Sequence, residues 1–296
     1  MLSIFPASNF SELRLKLRAI LCQKLDLSIR EAQAEISWIY AEVIGVKSNP
    51  LMEEKRPISK SDQERLEKIL LQRLQFIPLA YIMGYSWFYG YRFEVSDQVL
   101  IPRPESELLI DQAKAILSDY HNPRLLEIGT GSGCLAITMA LELKDKHPYV
   151  VATDLSKEAL TLARSNALYH KVVSYLDFYH CDITPRNSER LHYDLVISNP
   201  PYISAQEHQG LSLEVHKEPV QALVGDMELN NTGLYYYERV AELIASDKLL
   251  TDHLLLEVDP NRADRVWEIY EPLFEEYNFI DDYNGLKRFL KLSGLR

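Results

Sequence analysis

The stretch Leu125-Leu-Glu-Ile-Gly129-Thr-Gly131-Ser-Gly133 constrains the fold more than any other part of the 296-residue chain. An apolar run of strand length enters a turn with glycine at every second position, and a helix-forming stretch follows at once. Glycine there lets the backbone approach a ligand without a Cβ in the way, beside a helix start whose amides are unpaired. The alternation continues beyond it. Helices are expected over 105–117, 135–143, 157–167 and near 233–246, and strands over 124–128, 150–154, 172–179, 194–198 and 253–258. Such alternation builds a parallel sheet covered by helices on both faces. Runs over 279–283 and 288–292 flank Asn284-Gly285 and are expected to pair as an antiparallel edge hairpin.

The first seventy-odd residues carry a different signal. Leu13, Leu17, Ile20 and Leu21, then Leu66, Ile69, Leu70, Leu74 and Ile77, recur three and four apart, which predicts a helical bundle. Ser28-Ile-Arg-Glu31 and Ser61-Asp-Gln-Glu64 read as capping boxes at helix starts, with Gly45 and Pro78 as stops. Residues 47–60 lack periodicity and read as a loop. From Leu79 to Ile101 the texture turns aromatic and β-branched around Gly84 and Gly90, which predicts a strand pair over 87–89 and 92–95. Three segments result: a helical domain over 1–77, a β-hairpin linker over 78–103 and an α/β domain over 104–296.

Charge narrows the ligands and partners. Thirty-two basic against 43 acidic residues leave a net charge of −11, which argues against an extended phosphate-tracking surface and so against direct nucleic-acid binding. Residues 74–91, the longest uncharged stretch, contain Pro78, Gly84 and Gly90 and do not make a membrane helix. The N-terminus lacks the pattern of a secretion signal, so a cytoplasmic protein without membrane contact is expected. Cys22, Cys134 and Cys181 are widely separated and show no metal-ligand spacing, so reduced thiols and no metal are expected.

A dinucleotide fingerprint places its third glycine five positions after the first, where this chain has Cys134; Glu127, just before the turn, would repel a pyrophosphate. A cationic ligand fits better. Asp154 ends the next strand, at the position from which ribose hydroxyls are reached, and Asp182 follows the strand after that. A nucleoside site lined by acids suits S-adenosyl-L-methionine, whose sulfonium and ammonium groups are positive.

Asp194-Leu-Val-Ile-Ser-Asn199-Pro200-Pro201-Tyr202 is the second strong signal, an apolar strand ending on an amide, two prolines and an aromatic ring. The prolines remove donors and fix φ, leaving carbonyls free to accept. An amide or exocyclic amine is a weak nucleophile because its lone pair is delocalised. Two acceptors, the Asn199 side-chain oxygen and the Pro200 carbonyl, can hold the NH₂ hydrogens and aim that lone pair at a methyl group, with Tyr202 packed on the planar group.

Together these residues resemble class I S-adenosylmethionine-dependent N-methyltransferases, which include adenine-N6 DNA methyltransferases and protein-glutamine methyltransferases. Further motifs separate the two: Pro78-Leu-Ala-Tyr-Ile-Met-Gly84, Phe88-Tyr-Gly90-Tyr-Arg-Phe93-Glu-Val95, Val99-Leu-Ile-Pro-Arg103-Pro-Glu105-Ser-Glu107 and Glu218-Pro219-x-x-Ala222-Leu223. They resemble the peptide chain release factor glutamine methyltransferases of HemK/PrmC type, from about Leu13 to the C-terminus. The resemblance implies N5-methylation of the glutamine in the Gly-Gly-Gln motif of class 1 release factors, leaving S-adenosyl-L-homocysteine. It implies a helical substrate-recognition domain, a hairpin linker and a Rossmann-like, mostly parallel seven-stranded methyltransferase domain with an antiparallel C-terminal edge. Cofactor positions carried over are Glu127, Gly129, Thr130, Gly131, Ser132, Gly133, Asp154, Leu155, Asp182, Ile183 and Asn199. Asn199, Pro200 and Tyr202 match the catalytic glutamine clamp, and Arg103, Glu105 and Pro201 complete the substrate set. A monomer is expected.

Departures from the family pattern fall in loops. Ile183 stands where an aromatic ring often packs on adenine, Glu257-Val-Asp259-Pro260 lacks the usual glycine and glutamine after the glutamate, and the turn from Asp226 to Gly233 is less compact. The alternative function is an adenine-N6 methyltransferase of DNA or RNA, opposed by the acidic charge and the lack of a target-recognition domain. A catalytically dead binding module would have lost the glycine turn or Asn199, and both are intact. Tyr235-Tyr-Tyr237 is expected to serve helix packing.

Overall fold

A computed structural model describes residues 10–44, 58–185, 191–226 and 232–296. Its contacts divide the chain into Met1–Met83 and Gly84–Arg296, a division that falls inside the 78–103 segment and leaves the hairpin with the larger unit.

The smaller unit holds α1 (Phe10–Leu25), α2 (Ile29–Ile44), α3 (Lys60–Arg73) and the short α4 (Leu79–Met83). Leu13, Leu17, Leu21, Ile36, Leu66 and Leu70 make its core, each such burial contributing about 1.5–3 kcal/mol. Arg73 is fully buried and grips Glu35 through two bonds of 3.0 and 2.7 Å. The expected capping box at α2 forms, with Ser28 N donating to Glu31 Oε2 at 2.8 Å and Glu31 N to Ser28 Oγ at 3.2 Å. At α3 the cap is Ser59 rather than Ser61: its backbone is extended, and its Oγ accepts the Asp62 amide at 3.1 Å. Both serines precede an acid by three residues, so the pattern alone was ambiguous. Pro78 does not stop α3. That helix ends at Arg73, Phe76 turns the chain at φ +61°, and Pro78 opens α4, which replaces the strand-like texture expected there. Gly45 and most of the expected 47–60 loop lie outside the described residues.

The larger unit begins with the hairpin β1 (Tyr85–Phe88) and β2 (Tyr91–Glu94), turned through Tyr89 and Gly90 at φ +52° and +77°. A 3₁₀ turn, Pro104–Ser106, leads into α5 (Glu107–Ile116). There follow β3 (Arg124–Ile128), α6 (Cys134–Glu142), β4 (Tyr149–Asp154), α7 (Lys157–Tyr169), β5 (Leu176–His180) and β6 (Leu191–Ser198). After β7 (Ile203–Ser204), α8 (Ala205–Gln209) and β8 (Val224–Asp226) come α9 (Tyr235–Ala245), β9 (Leu249–Glu257), α10 (Ala263–Tyr270), β10 (Phe274–Asp281) and β11 (Lys287–Leu295).

Seven strands form one sheet in the order β10-β11-β9-β6-β3-β4-β5. The β9-β6-β3-β4-β5 part is parallel, and β11 joins antiparallel on β9 with β10 at its edge, as expected. Alternate residues feed two cores. Leu125, Val150, Leu195 and Ile197 pack with Leu109, Ile137 and the hairpin's Phe88 and Phe93. Leu126, Val151, Val196 and Leu254 pack on the other face with Tyr237, Val240, Val266 and Tyr270. The strand expected over 172–179 is split, because Val173–Tyr175 winds as a 3₁₀ turn and pairing starts at Leu176. The sequence reading missed α10 and the small α8, β7 and β8, elements of two to eight residues with too few turns or alternations to show a period.

Candidate active site

The chain leaves β3 for β4 and β5 on one side and returns to β6 on the other, so the carboxyl ends of β3 and β6 form the switch point at which such sheets bind ligands. A cavity of about 730 Å³ opens there, lined among others by Gly129, Gly131, Asp154, Leu155, Asp182, Asn199, Pro200 and Pro201.

Glycine loop geometry follows from close packing beneath it. Gly133 caps α6 at φ +82°, and a Cβ on it would lie 2.8 Å from Ile137 Cδ1 and 3.1 Å from the Ala163 Cβ. Glu127 turns inward. Its carboxylate, 1% exposed, accepts from Thr130 Oγ1 at 2.5 Å and from Ala136 N at 3.0 Å, and burial pushes its pKa up to about 8. Glu127 is therefore a brace for the loop and not a charged wall of the cavity, which corrects the repulsion argument made from its position. Thr130, Ser132 and Gly133 are buried with it, and Ile183, 1% exposed, offers its carbonyl to Thr153 Oγ1 at 3.0 Å. None of these five belongs to the cavity wall.

Asp154 does face the cavity. Its Oδ2 accepts the Gly131 amide at 2.8 Å and its Oδ1 the Ser156 amide at 2.8 Å. Burial raises its pKa, and the backbone amides oppose that. Asp182 stands across the wall, half-exposed, with Arg239 Nη2 3.9 Å away.

Asn199 directly follows β6 with its amide already engaged: Nδ2 donates to Ser106 Oγ at 3.0 Å, and Ser106 Oγ donates to Glu257 Oε2 at 2.6 Å. Burial pushes the Glu257 carboxyl up to about 7. Behind Asn199, Tyr202 does not line the cavity but packs on the core beside Tyr237, and burial pushes its phenol up to about 12. The loop backbone is clamped from below. A Cβ on Gly233, at φ +70°, would lie 2.1 Å from the Tyr202 carbonyl oxygen, and one on Gly225 would lie 2.5 Å from that of Pro201.

Arg103 and Glu105 are not in the wall. Arg103 Nη2 bonds Glu218 Oε1 at 2.5 Å, and the buried Glu218 also accepts the Ile101 amide at 3.2 Å. Tyr235 and Tyr236, read from sequence as packing residues, line the cavity, while Tyr237 is buried with its hydroxyl on the Glu257 carbonyl at 2.8 Å. The helix start after Gly233 rotates the first two rings one way and the third the other, a distinction that a run of three tyrosines does not reveal. Ser106 and Glu257 were also missed as partners, since 151 residues separate them. Elsewhere, His192, Asp194 and Asp252 cluster near the starts of β6 and β9, the far end of those strands from the cavity.

A family model described as Methyltransferase small domain matches residues 104–230, and one described as PrmC N-terminal domain matches residues 16–84. A release factor glutamine methyltransferase of Chlorobaculum tepidum is 35% identical over 274 residues, covering 88% of this chain and 90% of that protein. The chain belongs to the release factor glutamine methyltransferase family. A member from Dictyoglomus turgidum is 34% identical, covering 90% of this chain and 95% of its own, and one from Bacillus subtilis is 33% identical, covering 82% and 84%. The family's methyltransferase fold extends to solved structures. The hMettl16 catalytic domain in complex with MAT2A 3'UTR hairpin 1 aligns at a TM-score of 0.55 and 14% identity over 88% of this chain and 90% of that one. The N-terminal domain of human METTL16 in complex with SAH aligns at 0.50 and 15% over 88% and 94%. At such identities the likeness is one of fold. The resemblance and the fold class read from the sequence are thus borne out, and among the described residues no helix is long and apolar enough to cross a membrane.

Proposed function

We propose that this chain transfers a methyl group from S-adenosyl-L-methionine to the side-chain amide nitrogen of the glutamine in the Gly-Gly-Gln motif of class 1 peptide chain release factors. The observation that carries this reading is Asn199, held in the cavity wall beside Pro200 and across the switch point from Gly129 and Gly131.

The residues present fit the methyl donor. Glycine backbone without side chains at Gly129 and Gly131, three carboxylates at Asp154, Glu158 and Asp182, and no basic side chain among the described residues of the wall suit a nucleoside carrying positive groups. When bound, S-adenosyl-L-methionine supplies an electrophilic methyl group and leaves as S-adenosyl-L-homocysteine. Asp154, with one lone pair of each oxygen on a backbone amide, keeps others for ribose hydroxyls. The Asn199 oxygen and the Pro200 carbonyl accept the two NH₂ hydrogens of the glutamine and hold its nitrogen in line for attack. No general base is assigned, because the nitrogen sheds its proton readily once methylated. Glu127, Thr130, Ser132 and Gly133 act through the loop they support, and Tyr202 backs the clamp from the core.

The smaller unit, matched by the PrmC N-terminal model, recognises the folded release factor away from the glutamine. Transfer of tritiated methyl to purified release factor, with the label on that glutamine by mass spectrometry, is the expected result. Label entering duplex oligonucleotide instead would favour the adenine-N6 alternative.

A further inference from the structure

We infer that Ser106 and Glu257 are positioning residues that decide which edge of the Asn199 carboxamide faces the cavity. The inference rests on the proposed reading of Asn199 as the group that receives the substrate NH₂.

A serine hydroxyl has one proton. Ser106 gives it to Glu257 Oε2 at 2.6 Å, so towards Asn199 its oxygen can only accept, and the group it meets there is the Asn199 NH₂ at 3.0 Å. Oδ1 is then the edge left for the cavity, an acceptor where an incoming NH₂ needs one. Reversal needs a proton on Glu257. The protonated acid would donate to Ser106, Ser106 would donate to Asn199 Oδ1, and the cavity would meet an NH₂ group, donor facing donor. The burial of Ser106 and Glu257, 3% and 2% exposed, shields the chain of bonds from solvent. Ser106 has no competing duty, for its side chain makes no capping bond to α5.

Charges on every side bear on Glu257: Arg103 and Glu105 from the segment of Ser106, Arg288 from β11, Tyr202 from the loop after β6 and Tyr237 from α9. Its carboxyl, pushed up to about 7 chiefly by burial, exchanges its proton near neutrality. The polarity of the relay therefore follows the protonation of Glu257.

Protein labelled with ¹⁵N-asparagine tests this, the Asn199 carboxamide resonance being identified by its loss in Asn199→Ala. Ser106→Ala is expected to shift that resonance and to lower kcat roughly tenfold or more, as for a lost positioning contact, with KM for release factor and affinity for S-adenosylhomocysteine within about twofold. Ser106→Thr, which keeps the hydroxyl, restores both. In the wild type the resonance titrates with one ionisation that matches the acidic limb of kcat, and Glu257→Gln removes that titration. A Ser106→Ala variant with unchanged resonance and wild-type kcat, beside an impaired Asn199→Ala, overturns the inference; so does a titration that survives in Glu257→Gln. If the wild type methylates no release factor, the substrate reading fails, and the resonance decides the relay by itself.

Discussion

Asp154 ties the end of one strand to the turn that leaves its neighbour, its Oδ2 accepting the Gly131 amide at 2.8 Å. The same carboxylate accepts the Ser156 amide at 2.8 Å through its other oxygen. One side chain thus shapes two turns and still faces the cavity. Asp154→Ala is expected to weaken S-adenosylhomocysteine binding by roughly 1–3 kcal/mol, the range for a lost hydrogen bond to a charged or buried group. Titration calorimetry showing wild-type affinity would move the nucleoside elsewhere.

Gly233 carries the loop of Asn199 to Tyr202 on its bare Cα. A methyl group there would meet the Tyr202 carbonyl oxygen at 2.1 Å, on a backbone at φ +70°. Gly233→Ala should cost roughly 3 kcal/mol of stability, the upper end of ordinary substitutions, together with activity. Denaturant unfolding beside a methyl-transfer assay checks both, and a variant as stable as wild type would show that the loop gives way freely.

Glu127 makes stability depend on pH. Its pKa is about 8 in the fold against roughly 4.3 in an unfolded chain. Between those values the folded state holds the extra proton, so this contribution is complete below the unfolded value and is lost as pH rises through about 8. Glu257, at about 7, acts in the same direction. Melting temperature should therefore decline from pH 5 to pH 8, and less steeply in Glu127→Gln, whose amide oxygen can still accept from Thr130 and Ala136. Equal slopes would mean that Glu127 ionises in the native protein without penalty.

Asn199→Ala is expected to lose kcat by roughly 10² or more, the cost of a misplaced reacting group, while cofactor affinity changes little. Asn199→Asp should lose rate as well, since the added charge beside a sulfonium favours the ground state. Single-turnover rates near wild type in Asn199→Ala would assign the orientation of the nucleophile to another group.

Residues 84–296 hold both cores of the sheet and should fold when expressed alone. We expect that fragment to bind S-adenosylhomocysteine as the whole chain does and to show a raised KM for intact release factor. Equal KM values would remove the proposed recognition role from the helical unit.

Much of this architecture was legible because each part of it is written locally. The run from Leu125 to Gly133 declares a strand, a turn and a helix within nine positions, and Asn199 follows its strand directly. What escaped is either short or non-local. Ser59 and Ser61 offer the same capping pattern two residues apart, and only the backbone chooses between them. Glu127 reads as a cavity acid until its neighbours Thr130 and Ala136 are seen to take up its oxygen. Tyr235 and Tyr236 differ from Tyr237 by helical rotation alone, and the Ser106–Glu257 contact joins segments that share no local pattern.

The grip of Glu218 on Arg103 and the Ile101 amide has a mechanical side. Gln98, Val99 and Leu100 line the cavity, and so do Pro219, Gln221 and Ala222. The tie lies next to both, and separating them would strip a buried carboxylate of its cation and its amide together. One carboxylate therefore fastens two stretches of chain 115 residues apart, and neither of them shifts at the cavity without drawing the other along.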